Sequence, residues 1–319
     1  APVATVRDER DIAGIMRDLQ RKFHLLGRSG PVMYAMSGLD IALWDIAGKV
    51  AGKPLAELLG GAKRRQFDAY ASLVRYGEPA LAAANAKRAV ERGFRAIKLH
   101  EIGVPHVKAA REAIGPDIKL MMDTNCPWTV DEALAIAAGV REYGLYWFEE
   151  PVWPPEDYPG LARVRRECGI PVSAGENAAT YTEFVAMFDA GAVDYAQPSV
   201  TKIGGVSEMM RIAKLARDRG VTLVPHSPYF GPGLLATLHI AATFEHESMI
   251  EYSFADLGAN PLAGANEVVN GRIQLPSTSV TTARSPVQRA RADGRNSNSI
   301  ANWPRASRLN SKRAGTSSA

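Results

Sequence analysis

From about Arg65 to Ser253 the chain alternates short β-like runs with amphipathic helical runs, at a spacing that suits successive βα units and is too short for separate domains. That alternation restricts the fold more than any other feature. Strands are expected at residues 67–73, 96–101, 119–124, 147–150, 171–176, 193–198, 221–226 and 249–252. Between them fall helical candidates such as 79–92, 104–114, 130–142, 181–189, 206–219 and 233–244, several opened by Pro or closed by Gly. Eight strands with seven intervening helices is the count of a closed parallel barrel, an α/β fold of the TIM type written (β/α)7β.

Ahead of the barrel, residues 7–23 and 34–49 read as two helices. The second carries apolar Met36, Leu39, Ile41, Ala42, Leu43 and Ile46, so an accessory helical layer is expected. After Leu275 the composition collapses into Ser, Arg, Asn, Thr and Ala, which predicts a disordered tail. The expected organisation is a helical remnant of an α+β cap over 1–62, the barrel over 63–260, a return segment over 261–275 and a basic tail over 276–319.

The formal charge of +4 would suit a nucleic-acid partner if it lay on the folded part. It does not. Residues 276–319 hold eight Lys/Arg against Asp293 alone, which leaves about −3 on the rest and no reason to expect nucleic acid. No apolar run approaches the roughly 20 residues of a membrane helix, and no secretory leader is seen, so the expected compartment is the cytoplasm. The two cysteines, Cys126 and Cys168, lack the spacing of a zinc site or a disulfide framework and read as free thiols.

In such a barrel the chemistry gathers at the C-terminal ends of the strands. Strand two ends in Lys98-Leu-His100, strand three in Asp123-Thr-Asn125, strand four in Glu149-Glu150-Pro151 and strand five in Glu176-Asn177. Strand six ends in Gln197-Pro-Ser199, strand seven in His226 and strand eight in Glu251. Carboxylates on three consecutive strand ends crowd like charges, which is costly unless a cation neutralises them or they take up protons. A hard divalent ion with all-oxygen ligands, Mg²⁺ above all, meets that need. Lys98 and His100 on one side and His226 across the barrel could then move protons on opposite faces of a small substrate.

Plainer readings stand beside these. A lone Asp at a strand end is usually a cap, and His226 is as readily a structural histidine as a catalytic one. Strand alternation turns Glu150 away from Glu149 and assigns it to a salt bridge. Gly204-Gly205 could cradle a phosphate, or could simply make a close strand-to-helix turn. Cys126 and the Met121-Met122 and Met209-Met210 pairs read as packing residues.

The run from Ala35-Met-Ser-Gly-Leu-Asp40 through Trp44-Asp45, Lys49, Pro54-Leu55 and Leu58-Leu59-Gly60 closely resembles the first signature of the mandelate racemase and muconate-lactonizing family of the enolase superfamily. Residues 120–125 with Phe148-Glu-Glu-Pro151 resemble the second, and the resemblance runs from about Val32 to about Leu275. It implies that Asp123, Glu149 and Glu176 are Mg²⁺ ligands and that Lys202-Ile-Gly-Gly205 is the glycine-rich turn after strand six. It also implies removal of a proton α to a carboxylate, giving an enediolate stabilised by Mg²⁺ as Lewis acid. Lys98 and His100 fall on the family's Lys-x-Lys element, His226 on its strand-seven histidine, and Glu251 on a glutamate that donates a hydrogen bond to the substrate carboxylate. Family members are commonly homo-oligomers, and the resemblance implies one here.

Three departures shape the expectation. His100 stands where the second lysine usually acts as base, and a histidine is expected to serve there without the strongly depressed pKa that a lysine needs. Ser199 stands where the racemase pattern has an aspartate paired with the histidine, which makes His226 less basic and favours it as an acid toward a leaving hydroxyl. The family's β-rich cap segment finds no counterpart in these residues, and after Leu275 the Ser/Arg-rich tail resembles none of its C-terminal return, so a truncated or frame-shifted product is part of the expectation. The leading expectation is dehydration of a hydroxy or sugar acid, with His100 as base assisted by Lys98, His226 as acid, and Asn125, Ser199 and Lys202 in support. A racemase or epimerase, or a catalytically incompetent family member, are the alternatives.

Overall fold

A computed structural model describes residues 11–256, 262 and 264–277, all within one structural unit. The expected tail, 276–319, falls outside the described residues except for its first two positions. Helix α1 (Ile12–Phe23) starts where the Asp11 side chain accepts the Gly14 N–H at 3.0 Å. Helix α2 (Gly30–Ala51) has Pro31 in its first turn and ends at Gly52, whose φ of 63° only glycine adopts freely. A short α3 (Leu55–Leu58) leads into the barrel. Among the described residues no helix is long and apolar enough to cross a membrane.

The barrel elements follow in chain order: β1 (Gln66–Ser72), α4 (Pro79–Glu91), β2 (Ala96–Leu99), α5 (Val104–Ile114), β3 (Lys119–Asp123), α6 (Val130–Val140) and β4 (Leu145–Glu149). Then come α7 (Tyr158–Glu167), β5 (Val172–Ala174), α8 (Tyr181–Asp189), β6 (Tyr195–Ala196), α9 (Val206–Arg219), β7 (Thr222–Leu223), α10 (Pro232–Ala241) and β8 (Ile250–Ser253). Helix α7 is the one that the named candidates lacked, because its start, Asp157-Tyr-Pro-Gly160, reads as a turn. Asp157 in fact caps it by accepting the Gly160 N–H at 2.9 Å.

The strands pair in parallel from β7 through β1, and β8 pairs in parallel with the other side of β1. Among the described residues no backbone ladder joins β7 to β8. Side chains bridge that joint instead: the Ser227 N–H donates to Glu251 Oε2 at 3.0 Å, and Ser248 Oγ donates to the Leu223 carbonyl at 3.0 Å. Pro225 explains the short ladder on β7, since it has no N–H to give. Pro171 and Pro198 likewise trim β5 and β6 below the expected lengths.

Residues expected to begin the return to a cap form a hairpin, β9 (Val268–Val269) and β10 (Arg272–Gln274), with β10 antiparallel to the start of β1. Gly271 allows the approach: at φ 70°, a Cβ there would lie 2.4 Å from the Gly93 carbonyl oxygen.

Alternation sorts the side chains. Ile97, Leu120, Met122 and Phe148 face outward to the helices, whose contact stripes are largely alanine: Ala86 and Ala89, Ala110, Ala133 and Ala137. Tyr70, Ala96, Met121, Trp147 and Val224 fill the interior, and Tyr70 meets Trp147 edge-on at 5.6 Å between ring centroids. Position two further along each strand then points into the same interior from above. Ser72, Lys98, Asp123 and Glu149 stand there, fully buried or nearly so.

Helix α2 does not bury all the apolar residues that the sequence suggested. Leu39 is 38% and Ile46 42% exposed, because the stripe facing the barrel runs through Met33, Met36, Ser37, Asp40 and Ile41. Asp40 is fully buried on that stripe, and burial holds its carboxyl up to about 6 against the hydrogen bonds from Ser207 that pull it down. An acid with a raised folded pKa binds its proton more tightly when folded, so its contribution favours low pH and is lost as pH rises through about 6. Urea unfolding of wild type and Asp40→Asn at several pH values should show wild type losing about 2 kcal/mol more than the variant between pH 4 and 6. Parallel curves would contradict this.

Candidate active site

Register places the first two acids side by side: Asp123 is the partner of Glu149 across β3 and β4. The third, Glu176, lies beyond β5, and Gly175 makes the bend that brings it in. At φ 132° a Cβ on Gly175 would press on Phe184 and on the backbone of Gln197. Asp123, Glu149 and Glu176 each offer an oxygen, and these oxygens lie within 4.8 Å of one another. Three non-glycine residues beside them, Asn125, Cys126 and Glu150, hold positive φ, the kind of backbone strain that gathers at functional sites.

The surroundings divide the charge. Lys98 Nζ lies 2.9 Å from Asp123 Oδ2, 2.7 Å from Glu149 Oε1 and 2.8 Å from Glu251 Oε1, all with no exposure. Burial alone would discharge the ammonium, but Asp123, Glu149 and Glu251 outweigh it and hold Lys98 well above the usual lysine range. Asp123 is held well below the carboxylate range, since Lys98 and His100 overcome its burial. Glu149 is pushed well up by burial and then by Asp123, although Trp147 Nε1–H donates to its Oε2 at 2.7 Å. Glu176 is drawn down to about 2 against its burial, chiefly by His226.

The histidines occupy opposite flanks. His100 gives Nδ1–H to the Leu73 carbonyl and turns Nε2 to Asp123 Oδ2 at 3.0 Å. His226 places Nε2 2.8 Å from Glu176 Oε2 and Nδ1 3.2 Å from the Tyr229 hydroxyl, which is itself hydrogen-bonded to Ser199 Oγ. Asn125 supports Asp123, donating from Nδ2 to Oδ1 at 3.0 Å, and Lys202 Nζ lies 3.5 Å from Glu176 Oε1. All ten expected residues therefore surround one acidic centre.

Their expected roles fare unevenly. Glu251 is an acceptor here: its carboxylate receives Lys98, Ser72 Oγ–H at 2.8 Å and the Ser227 N–H, and Lys98 keeps it low despite burial. The hydrogen-bond donation that the resemblance implied would need a proton on Glu251, whose oxygens accept in this arrangement. Glu150 does point away from Glu149, but it accepts hydrogen bonds from Cys126 Sγ–H, the Gly175 N–H and Asn177 Nδ2–H rather than making a salt bridge. Burial, then Glu150, push the Cys126 thiol up, so it stays a packed thiol. The phosphate reading of Gly204-Gly205 falls as well, because Asp40 fills that place: a Cβ on Gly205 would lie 2.4 Å from its Oδ2. Tyr229 went unread in the sequence, where the only hint was an aromatic hydroxyl three residues past a strand-end histidine.

Comparison with known proteins now bears on this geometry. The family model of the enolase C-terminal domain-like region matches residues 81–279, and that of the mandelate racemase/muconate lactonizing enzyme N-terminal domain matches residues 1–60. The chain belongs to the mandelate racemase/muconate lactonizing enzyme family. Within that family it is 34% identical over 287 residues to an arabinonate dehydratase of Saccharolobus solfataricus, covering 86% of this chain and 76% of the relative. It is 36% identical over 292 residues to a D-galactarolactone cycloisomerase of Agrobacterium fabrum, covering 85% and 76%. Among solved structures, a mandelate racemase/muconate lactonizing protein from Paracoccus denitrificans complexed with magnesium superimposes with a TM-score of 0.83 at 29% identity, covering 88% of this chain and 80% of that one. Family membership makes the chain an enzyme of the lyase and isomerase group.

Proposed function

We propose that the chain is a Mg²⁺-dependent enzyme that takes the proton α to the carboxylate of a hydroxylated acid, of the sugar-acid class, and expels water from it. The observation that carries this reading is the convergence of Asp123, Glu149 and Glu176 within 4.8 Å, with His100 beside the first and His226 beside the last. Two buried carboxylates and the partly buried Glu176, with Lys98 and Lys202 as the permanent cations paired with them among the described residues, form an all-oxygen donor set that fits Mg²⁺. When bound there, the ion supplies Lewis acidity toward a substrate carboxylate, lowering the cost of charge developed on it.

The chain's own groups handle the protons. His100, with Nδ1 tied to Leu73, presents Nε2 as the atom that receives the α-proton, while the fixed ammonium of Lys98 adds positive charge beside the developing anion. His226, with Nδ1 on Tyr229, presents Nε2 from the other flank and delivers a proton to the departing β-hydroxyl. One C–H and one C–O bond break, a carbon–carbon double bond forms, and the enol product rearranges to the 2-keto acid. Relatives described as an arabinonate dehydratase and an L-talarate/galactarate dehydratase support this outcome. The cycloisomerase relatives support a second one, in which the same opposed pair opens or moves a ring oxygen or inverts the α-carbon.

The test is a panel of aldonic and aldaric acids with Mg²⁺, followed for 2-keto acid formation and, in D₂O, for deuterium at the α-carbon. Keto acid supports dehydration. Recovered, inverted and deuterated substrate supports the racemase or isomerase reading, and neither product on the whole panel would contradict the enzyme reading. On any acid that reacts, Tyr229→Phe should lower kcat roughly tenfold with KM within about twofold, because the hydroxyl orients His226 without touching substrate. An unchanged kcat would remove Tyr229 from the account. On this reading the partner is a small cytoplasmic carboxylate and the enzyme a homo-oligomer, which light scattering would check.

A further inference from the structure

Two of the polar side chains that helix α2 buries, Ser37 and Asp40, end on the turn that links β6 to α9. Ser37 Oγ accepts the Gly204 N–H at 2.8 Å. Asp40 Oδ2 accepts the Ser207 N–H at 3.0 Å, and Oδ1 accepts the Ser207 hydroxyl at 2.6 Å. Trp44 Nε1–H then donates to Ser207 Oγ at 3.0 Å. Spacing i, i+3, i+7 places all three on one stripe of the helix, and Gly205 at φ 92° leaves the room that the Asp40 carboxylate occupies. Asp40 thus caps α9 from another helix, at a position where Gly205 has no side chain to do so.

The same turn reaches the acidic centre. It begins at Ser199, whose hydroxyl meets Tyr229 and through it His226, and it carries Lys202, whose ammonium faces Glu176. The Lys202 and Ile203 N–H groups both fold back onto the Ser199 carbonyl, so residues 199–203 form one tight turn, and the next residues, Gly204 to Ser207, are held by Ser37 and Asp40.

We propose that Asp40 is a positioning residue for the acidic centre: by pinning Ser207 it fixes the turn whose other end sets Lys202 on Glu176 and Ser199 on Tyr229. In that view Ser37, Asp40 and Trp44, prominent in the first signature, couple the helical layer to the site as well as packing the helix. The part of the proposal that concerns Mg²⁺ rests on the metal reading of Glu176; the part that concerns the turn does not.

The experiment compares wild type with Asp40→Ala, Asp40→Asn and a control, Val140→Ala, which opens a small cavity in α6 away from the turn. Hydrogen–deuterium exchange by mass spectrometry follows peptides covering 174–180 and 197–203, and calorimetry follows Mg²⁺ itself. The expected result for Asp40→Ala is exchange at least tenfold faster in both peptides and Mg²⁺ affinity about tenfold weaker. Asp40→Asn, which retains one acceptor, should fall between, and Val140→Ala should change the unfolding midpoint alone. Asp40 variants that lower the midpoint while leaving both peptides at the wild-type rate would overturn the proposal. If wild type binds no Mg²⁺, the metal reading fails and the exchange result still decides the positioning role.

Discussion

Lys98→Met is expected to cost the magnesium-free protein about 3–5 kcal/mol, the loss typical of stripping one partner from a buried ionic group. Its Nζ is within 2.9 Å of three carboxylates, Asp123, Glu149 and Glu251, none of them exposed. Without the ammonium their mutual repulsion is uncompensated and they must take up protons or force the site open. The sign with pH follows. In wild type, Asp123 and Glu251 have lowered pKa values, so their contribution is full above the carboxylate range and is lost only in acid. In Lys98→Met those values rise, and the variant should become relatively more stable as pH falls from 8 to 5. Urea denaturation in EDTA across that range measures both effects, and added Mg²⁺ should recover part of the loss. A variant within about 1 kcal/mol of wild type at every pH would show that the three acids do not depend on Lys98.

The second large effect separates the two histidines. His100→Asn and His226→Asn should each lower turnover of a reactive acid sugar by about 10² to 10⁴, the usual worth of a general acid or base. Their isotope behaviour should differ. If His100 takes the α-proton and His226 serves the leaving hydroxyl, His226→Asn still exchanges the α-hydrogen with D₂O, and His100→Asn does not. Inverted, deuterated substrate from wild type with exchange surviving in one variant would instead mark a two-base inversion, while retained turnover in His226→Asn would reduce that residue to the structural histidine that its sequence context also allowed. Tyr229 and Glu176 flank the ring in a way that suits the first outcome, since the hydroxyl can donate to or accept from Nδ1 as the ring changes state, whereas a carboxylate could only accept.

Much of this was legible because strand chemistry is local. A period of two fixes which side chain of Lys98-Leu-His100 or Asp123-Thr-Asn125 enters the barrel, and strand order then brings Asp123 beside Glu149. What stayed hidden depended on distant partners. Glu251 reads as a free acid along the chain, yet Ser72, Ser227 and Lys98 come from three other elements to satisfy it. Leu39 and Ile46 looked like core residues, but the buried stripe of α2 was set by Ser37 and Asp40, polar residues whose partners lie some 167 positions away. The β7–β8 joint, made through the Glu251 and Ser248 side chains rather than a ladder, has no periodicity to read. Helix α7 was masked by Pro159 and Gly160 in its first turn, which punctuate a sequence as a turn does.

The central claim is that the three acids form one divalent-cation site, and calorimetric titration of the metal-stripped protein with Mg²⁺ tests it most directly, with Asp123→Asn as the comparison. The account predicts saturable binding near one ion per chain in wild type and at least a hundredfold weaker binding in the variant. Wild type and Asp123→Asn binding alike, or no saturable binding by wild type, would contradict it.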